Sequence, residues 1–266
     1  MQLAQKVVVV TGAGSGIGRA VALEAVRRGA KVAAVDLNAQ TLAETAETAA
    51  AAGGAMSVHE LNVTDRAAVE ALPAAVAERW GAVDGLIHCA GIIQPFTRLK
   101  DLDFATIDRV FAVNWSGTLY LTKAFLPVLL ERPVGHIVNV ASMGGFLPVP
   151  GQTIYGASKA AVKLLTEGLH AECAGTAVRV TVVFPGGVAT NITTNSGVNI
   201  PAAGDTANRK ITTPERAARD ILDGMERDAY RVLIGGDARL MDRLYRLNPK
   251  RAAGLIADKM QDLLQR

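Results

Sequence analysis

The chain has 266 residues, half of them apolar, a fifth charged and 5% aromatic, a composition that supports a buried core and excludes disorder as the organising state. Cys89 and Cys173 are too few for a disulfide framework, and with no leader-like stretch before Val7 a reduced, cytoplasmic protein is expected. No apolar run reaches the roughly 18 residues that span a bilayer, and a net charge of +3 is too small to imply a nucleic-acid partner.

In chain order, short β-branched runs alternate with longer helical stretches: Lys6 to Thr11, Lys31 to Asp36, Ala55 to Asn62, Gly85 to Cys89, His136 to Ala141, Arg179 to Val183 and Arg231 to Ile234. The runs are continuously apolar rather than alternating, as expected for strands covered by helices on both faces, and the segments between them are long enough for right-handed crossovers. The expected fold class is therefore α/β: a doubly wound (Rossmann) domain with a mostly or wholly parallel seven-stranded sheet. A single domain over 1–266 is expected, carrying a mobile substrate loop over about 191–213 and a helical extension over about 238–266.

After the first strand comes Thr11-Gly12-Ala13-Gly14-Ser15-Gly16-Ile17-Gly18, and Arg19 to Arg28 reads as a helix. Glycines let a backbone turn tightly against a pyrophosphate, whose charge is favoured by free N–H groups and the positive end of the helix dipole. The second strand ends at Asp36, eighteen residues beyond Gly18, near the interval at which a carboxylate meets the adenosine ribose. That carboxylate would repel a 2′-phosphate, and Leu37, Asn38, Ala13 and Ser15 bring no cation to compensate. NAD is expected over NADP.

The spacing Gly12, Gly16, Gly18 departs from the general dinucleotide pattern and resembles the short-chain dehydrogenase/reductase family, over nearly the whole chain from Lys6 to about Asp237. Tyr155 and Lys159 stand four apart ahead of the helical run Ala160 to Cys173, so the ammonium can lie beside the phenol on one face. A neighbouring cation, with the cationic oxidised nicotinamide, favours the phenolate and tunes Tyr155 as an acid/base. Ser142 follows a strand at the carboxyl edge of the sheet, where ligands of open α/β sheets bind, and can donate to a developing oxyanion. The resemblance implies a catalytic set of Ser142, Tyr155 and Lys159, with Asn114, inside the helical stretch Asp103 to Leu130, as a relay from Lys to solvent.

It further implies cofactor contacts from Ser15, Ile17 and Leu37 beside the glycines and Asp36, from Asn62 and Val63 at the adenine, and from Ala90 and Gly91 at the ribose. Lys159 joins them at the nicotinamide ribose, and Tyr155 lies against the cofactor. The turn Pro185-Gly186-Gly187-Val188-Ala189-Thr190 resembles the family's segment for carboxamide and phosphates, through Pro185, Gly186, Val188 and Thr190. His88-Cys89 stands where the family usually has two asparagines, a departure that puts a sheet-bracing side-chain hydrogen bond, but not the chemistry, in doubt. No metal site is implied.

Candidate substrate residues are Ile93, Met143, Phe146 and Ile192, with Gln94 and Gln152 as polar contacts and no Arg or Lys to hold an anion. The expected reaction is hydride transfer between NAD and a neutral, largely apolar secondary alcohol or ketone. An NADPH-dependent ketone or 3-oxoacyl reductase, and a catalytically idle dinucleotide-binding protein, stay open as alternatives. From Ala238 onward seven basic residues face three acidic ones, a net +4. Leu240, Met241, Leu244, Tyr245 and Leu247, then Ile256, Met260, Leu263 and Leu264, form two amphipathic faces. These are expected to cover the pocket or a subunit surface of a homodimer or homotetramer rather than to bind a membrane peripherally.

Overall fold

In a computed structural model, residues 1–198 and 211–264 are described, the side chains of Lys259 and of 261–264 excepted. The strands form one sheet of order β3-β2-β1-β4-β5-β6-β7, every pairing parallel. They are β1 (Val7–Thr11), β2 (Lys31–Asp36), β3 (Ala55–Glu60), β4 (Gly85–His88), β5 (Gly135–Val140), β6 (Val178–Pro185) and β7 (Arg231–Ile234). From β1 the chain winds outward to β3, then returns to lay β4 on the other side of β1. The carboxyl ends of β1 and β4 thus meet at the topological switch point where such sheets bind ligands.

Helices cover both faces. On one, α1 (Gly16–Arg27), α2 (Ala39–Ala51) and α8 (Pro214–Glu226) bury Val21, Leu42 and Ile221 against Val8, Val10 and Val138. On the other, α3 (Arg66–Trp80), α5 (Gly117–Leu130) and α6 (Thr153–Glu172) bury Val69, Leu121, Phe125 and Leu169 against Val7, Val9 and Ile137. Central strands are therefore largely apolar, and β5 is buried throughout, with its two polar residues hydrogen-bonded inside: His136 to Thr181 and Asn139 to Thr166. The edge strand β3 departs from that expectation: Val58 is 51% exposed, because no strand and little helix lies beyond it.

The helix expected over 103–130 is interrupted. After α4 (Phe104–Phe111) the backbone makes a π-helical turn over Ala112–Ser116 before α5 resumes. An extra residue in the turn rotates Asn114 inward, the kind of bulge often found at functional sites. The segment expected as loop contains a short helix, α7 (Ile192–Asn195), and ends at Thr213, whose hydroxyl accepts from Arg216 N as the cap of α8. Residues 199–210 of that expected loop lie outside the described residues.

The C-terminal segment forms α9 (Gly236–Leu247) and α10 (Pro249–Leu264). Met241, Leu244, Tyr245, Ala252, Ile256 and Met260 pack with Leu147, Met143, Phe146 and Val149. Leu240 and Leu247 stand outside this face, 58% and 85% exposed, so the first apolar stripe is narrower than its sequence spacing suggests. Leu263 and Leu264 lie outside the described side chains.

Candidate active site

The glycine turn begins where β1 ends. Gly12 has φ +69° and its missing Cβ would come within 3.0 Å of Ala90 N, while a Cβ at Gly18 would collide with the Gly12 carbonyl. Strand, turn and helix pack this closely only without side chains. Ser15 is the N-cap of α1 but makes no capping hydrogen bond from its side chain, and the first turn holds no acidic residue. The helix therefore presents N–H groups and positive dipole without an internal anion.

A cavity of about 620 Å³ opens above this turn. Gly12, Ser15, Gly16, Ile17 and Gly18 floor one end; Asp36, Leu37, Asn62 and Val63 wall the side; Ala90, Gly91 and Thr190 close the other. Asp36 accepts from Gly14 N at 2.9 Å and Asn38 N at 3.0 Å, which fixes the carboxylate at the rim. Among the described residues no Lys or Arg lines the cavity. An elongated cleft with an open helix N-terminus at its centre and a fixed carboxylate at one end fits a dinucleotide. Thr41, Asn195 and Ile192 also line it, the first two unanticipated from the sequence and Ile192 expected on the substrate side. Pro185, Gly186 and Val188 lie outside its lining; Gly186 N donates to Ile234 O and Gly187 N to Asp237 Oδ2 at 2.7 Å, so a carboxylate at the head of α9 holds the turn.

Beyond Gly91 the reacting set assembles. Lys159 is buried and donates from Nζ to the Val140 carbonyl at 2.9 Å. A Cβ at Gly91 would lie 3.1 Å from Lys159 Nζ and 3.2 Å from Asn114 Oδ1, so both groups flank that glycine. A Cβ at Gly144 would lie 3.5 Å from both Ser142 Oγ and the Tyr155 ring, placing serine and phenol together. Asn114 is braced: its Oδ1 accepts from Ile92 N, and its Nδ2 faces Ile92 O and Ser158 Oγ at 3.0 Å each.

Burial pushes the Lys159 ammonium down to about 8, and it pushes the Tyr155 phenol above its ordinary value, with the Ser142 hydroxyl pulling the other way. Within the polypeptide alone, burial outweighs any lowering of Tyr155: the Lys159 ammonium is turned to Val140, and desolvation of the phenolate dominates. Burial also holds the Cys89 thiol protonated, at about 12. His88 supplies the brace that the resemblance had put in doubt, its Nδ1 lying 2.8 Å from Thr11 Oγ1, which in turn accepts from Ala90 N.

Of the substrate candidates, Ile93 is buried and donates from its N–H to Ser196 Oγ. Phe146 packs edge-on to Phe184 at 5.5 Å and beside Tyr245 at 6.3 Å, with Met143 in the same apolar cluster. Gln94 departs from its expected role, for it is fully buried and its amide is taken up by Gly151, Ile154 and Tyr155. Gln152 gives its Nε2 to Gln94 O, leaving a buried Oε1 without a partner among the described residues. None of the described residues forms a metal-binding cluster, and no described helix is long and apolar enough to cross a membrane.

The short chain dehydrogenase model matches residues 6–200. The oxidoreductase SadH of Mycobacterium tuberculosis is 38% identical over 250 residues, covering 91% of this chain and 90% of the relative. An uncharacterized oxidoreductase of Staphylococcus aureus is 37% identical, over 83% and 90%. A short chain dehydrogenase/reductase of Burkholderia phymatum, solved in complex with NAD, superposes with a TM-score of 0.84 at 28% identity, over 94% and 96% of the two chains. The chain belongs to the short-chain dehydrogenase/reductase family, oxidoreductases that bind a nicotinamide dinucleotide.

Proposed function

We propose that the protein is an NAD-dependent alcohol dehydrogenase or ketone reductase acting on a neutral, largely apolar secondary alcohol or ketone. The observation that carries this reading is a pair of juxtapositions beside a cleft that Asp36 lines and, among the described residues, no Lys or Arg does: Lys159 and Asn114 flank Gly91 of the cleft wall, and Ser142 and Tyr155 flank Gly144. Gly12 to Gly18 would hold the pyrophosphate and Asp36 the adenosine ribose. Asn62 and Val63 would hold the adenine, Ala90, Gly91 and Lys159 the nicotinamide ribose, and Val188 and Thr190 the carboxamide and phosphates. When bound, the dinucleotide supplies the acceptor or donor of hydride.

In oxidation Tyr155 removes the hydroxyl proton of the alcohol, and in reduction its phenol protonates the carbonyl oxygen. Ser142 donates to that oxygen as negative charge develops. Lys159, turned to the Val140 carbonyl and flanking Gly91, would hold the nicotinamide ribose, and Asn114 holds the Ile92 segment against the helix that carries Tyr155 and Lys159. An apolar substrate is supported by the cluster of Met143, Phe146, Val149, Leu244 and Tyr245, with the unpartnered Gln152 Oε1 as a polar contact. Within this reading the protein works in the cytoplasm as a homodimer or homotetramer, an assembly that Phe104 and Leu164, 81% and 69% exposed on the α4 and α6 helices, would suit.

Calorimetric titration with NAD and NADP, followed by a panel of secondary alcohols read by absorbance of the reduced nicotinamide, tests the proposal. Preference for NAD and turnover of aliphatic or aryl alcohols is the expected result. A preference for NADP of about tenfold or more, equal to about 1.4 kcal/mol in the wrong direction, would sink the ribose assignment; binding without turnover would favour the idle alternative.

A further inference from the structure

The α6 helix, which carries Tyr155 and Lys159, begins without a cap of its own. Its N-cap residue, Gln152, makes no capping hydrogen bond from its side chain, yet the first turn is partly buried and its N–H groups need acceptors. They find one far away in the chain: Gln94 Oε1 accepts from Ile154 N and from Tyr155 N, each at 2.9 Å.

We infer that Gln94 is a positioning residue for Tyr155, a helix cap supplied from the loop after β4 that sets where the phenol stands in the active site. The inference rests on the acid/base role proposed for Tyr155. The amide is fixed at both ends, because Nε2 donates to Gly151 O at 2.9 Å while Oε1 takes the two N–H groups, and Gln94 is fully buried. Its own carbonyl accepts from Gln152 Nε2 at 2.8 Å, which closes a ring of bonds around the helix start. A primary amide of this length provides an acceptor to two N–H groups and a donor to a carbonyl at once.

The same loop is anchored elsewhere at neighbouring residues. Gly91 lies in the cofactor cleft, Ile92 is clasped by Asn114, and Ile93 N donates to Ser196 Oγ just beyond α7. Gln94 thereby relates the position of Tyr155 to the segment that floors the cleft. A first turn released from this cap would swing the aromatic ring, and misplacement of a reacting group by about 1 Å can cost up to about a hundredfold in rate.

Gln94→Met, which keeps the volume but removes acceptor and donor, is compared with Gln94→Glu, whose carboxyl, kept protonated by burial, accepts both N–H groups through its carbonyl oxygen and donates to Gly151 O. Three readouts are taken: hydrogen exchange of peptides spanning 152–157, calorimetric affinity for NAD, and kcat and KM for the panel alcohol that wild type oxidises fastest. In Gln94→Met, exchange in that peptide should accelerate by at least about tenfold, since a buried donor loses its acceptor. Its kcat should fall by between about tenfold and a hundredfold, with NAD affinity held. Gln94→Glu should recover the exchange protection and a large part of kcat. Unchanged exchange and kcat in Gln94→Met, equal damage from Met and Glu, or a loss of NAD affinity matching the loss of kcat would each overturn the inference. If Gln94→Met does not fold, Gln94→Asn, too short to reach the helix, takes its place. Tyr155→Phe is measured alongside: if it stays active, the acid/base assignment has failed, while exchange still reports on the cap.

Discussion

In the proposed site the cofactor side, from Gly12 to Asn62, is a cleft of glycine backbone and one fixed carboxylate, whereas the proposed substrate side is the apolar cluster of Met143, Phe146, Leu147 and Val149 with the α9 and α10 helices. The first is dictated by backbone geometry, since Gly12 and Gly18 permit contacts that any Cβ would block. The second is dictated by packing, so the same backbone accepts many side-chain sets, and specificity varies while cofactor chemistry persists. Tyr155 and Lys159 stand on a helix whose start is held through Gln94 and whose Val162 belongs to the cluster that Phe146 packs against.

The largest expected effect lies on that helix. Tyr155→Phe should reduce kcat by about a hundredfold or more, the scale of general acid/base catalysis, while leaving NAD affinity nearly intact. Lys159→Ala should impair both. Because burial raises the Tyr155 phenol above its ordinary value, its phenolate is scarce at neutral pH. Oxidation should therefore climb with pH and ketone reduction should fall, as pH–rate profiles in both directions would show; a flat oxidation profile from pH 6 to 9 would contradict the assignment.

On the cofactor side, Asp36→Ala combined with Leu37→Arg removes the repelling carboxylate and adds a guanidinium suited to a phosphate. The ratio of kcat/KM for NADP over NAD should rise by at least about tenfold, about 1.4 kcal/mol. Leu37 is 64% exposed, so the substitution meets no packing penalty. An unchanged ratio would separate Asp36 from cofactor choice.

The contrast between the two sides also decides what the sequence discloses. Gly12, Ser15 to Gly18, Asp36, Asn62 and Gly91, each read as a cofactor contact from one short segment, all line one cleft. Ser142, Tyr155 and Lys159, read from spacing and the resemblance, come to stand around Gly144 and Gly91. The role of Gln94 was not legible: a buried amide and a substrate-facing amide look alike in sequence, and its partners stand 60 and 61 residues away. The π-helical turn at Asn114 was hidden because its residues continue a helical pattern, and Asp237 because nothing local ties it to Gly187. His88 was read as putting a brace in doubt when it supplies one through Thr11.

His88 offers a test of the shared sheet beneath both halves. Burial lowers His88 and His136 to about 3, below the ordinary histidine value near 6.5, so protonation favours the unfolded chain. Their contribution is fully present above about pH 6.5 and is lost as pH falls towards 3. One such group removes about 1.4 kcal/mol per pH unit, or about 2 kcal/mol between pH 6.5 and 5. His88→Asn should retain the Thr11 contact and cancel that share. Urea unfolding at the two pH values should show the variant losing about 2 kcal/mol less than wild type, and a pH-independent difference would count against a neutral buried His88.

The smallest expected effect belongs to the substrate side. Tyr245 of α9 lies 6.3 Å from Phe146, within the cluster that joins the C-terminal helices to Leu147 beside the reacting residues. Aromatic pairs contribute about 0.5–1.5 kcal/mol beyond their buried area, so Tyr245→Ala should raise KM for an apolar alcohol by about two- to tenfold with kcat and NAD affinity unchanged. Leu247→Ala, at a side chain 85% exposed, is the control and should leave KM alone. The two variants separate the explanations for an apolar C-terminal segment. If its role is to wall the pocket, only the inward Tyr245 matters to kinetics. If the +4 segment serves a membrane surface, the outward Leu247 should matter to binding of anionic vesicles while Tyr245→Ala leaves KM untouched. That second pattern would move α9 and α10 from the active site to the surface and leave the apolar-substrate reading resting on Met143, Phe146 and Val149 alone.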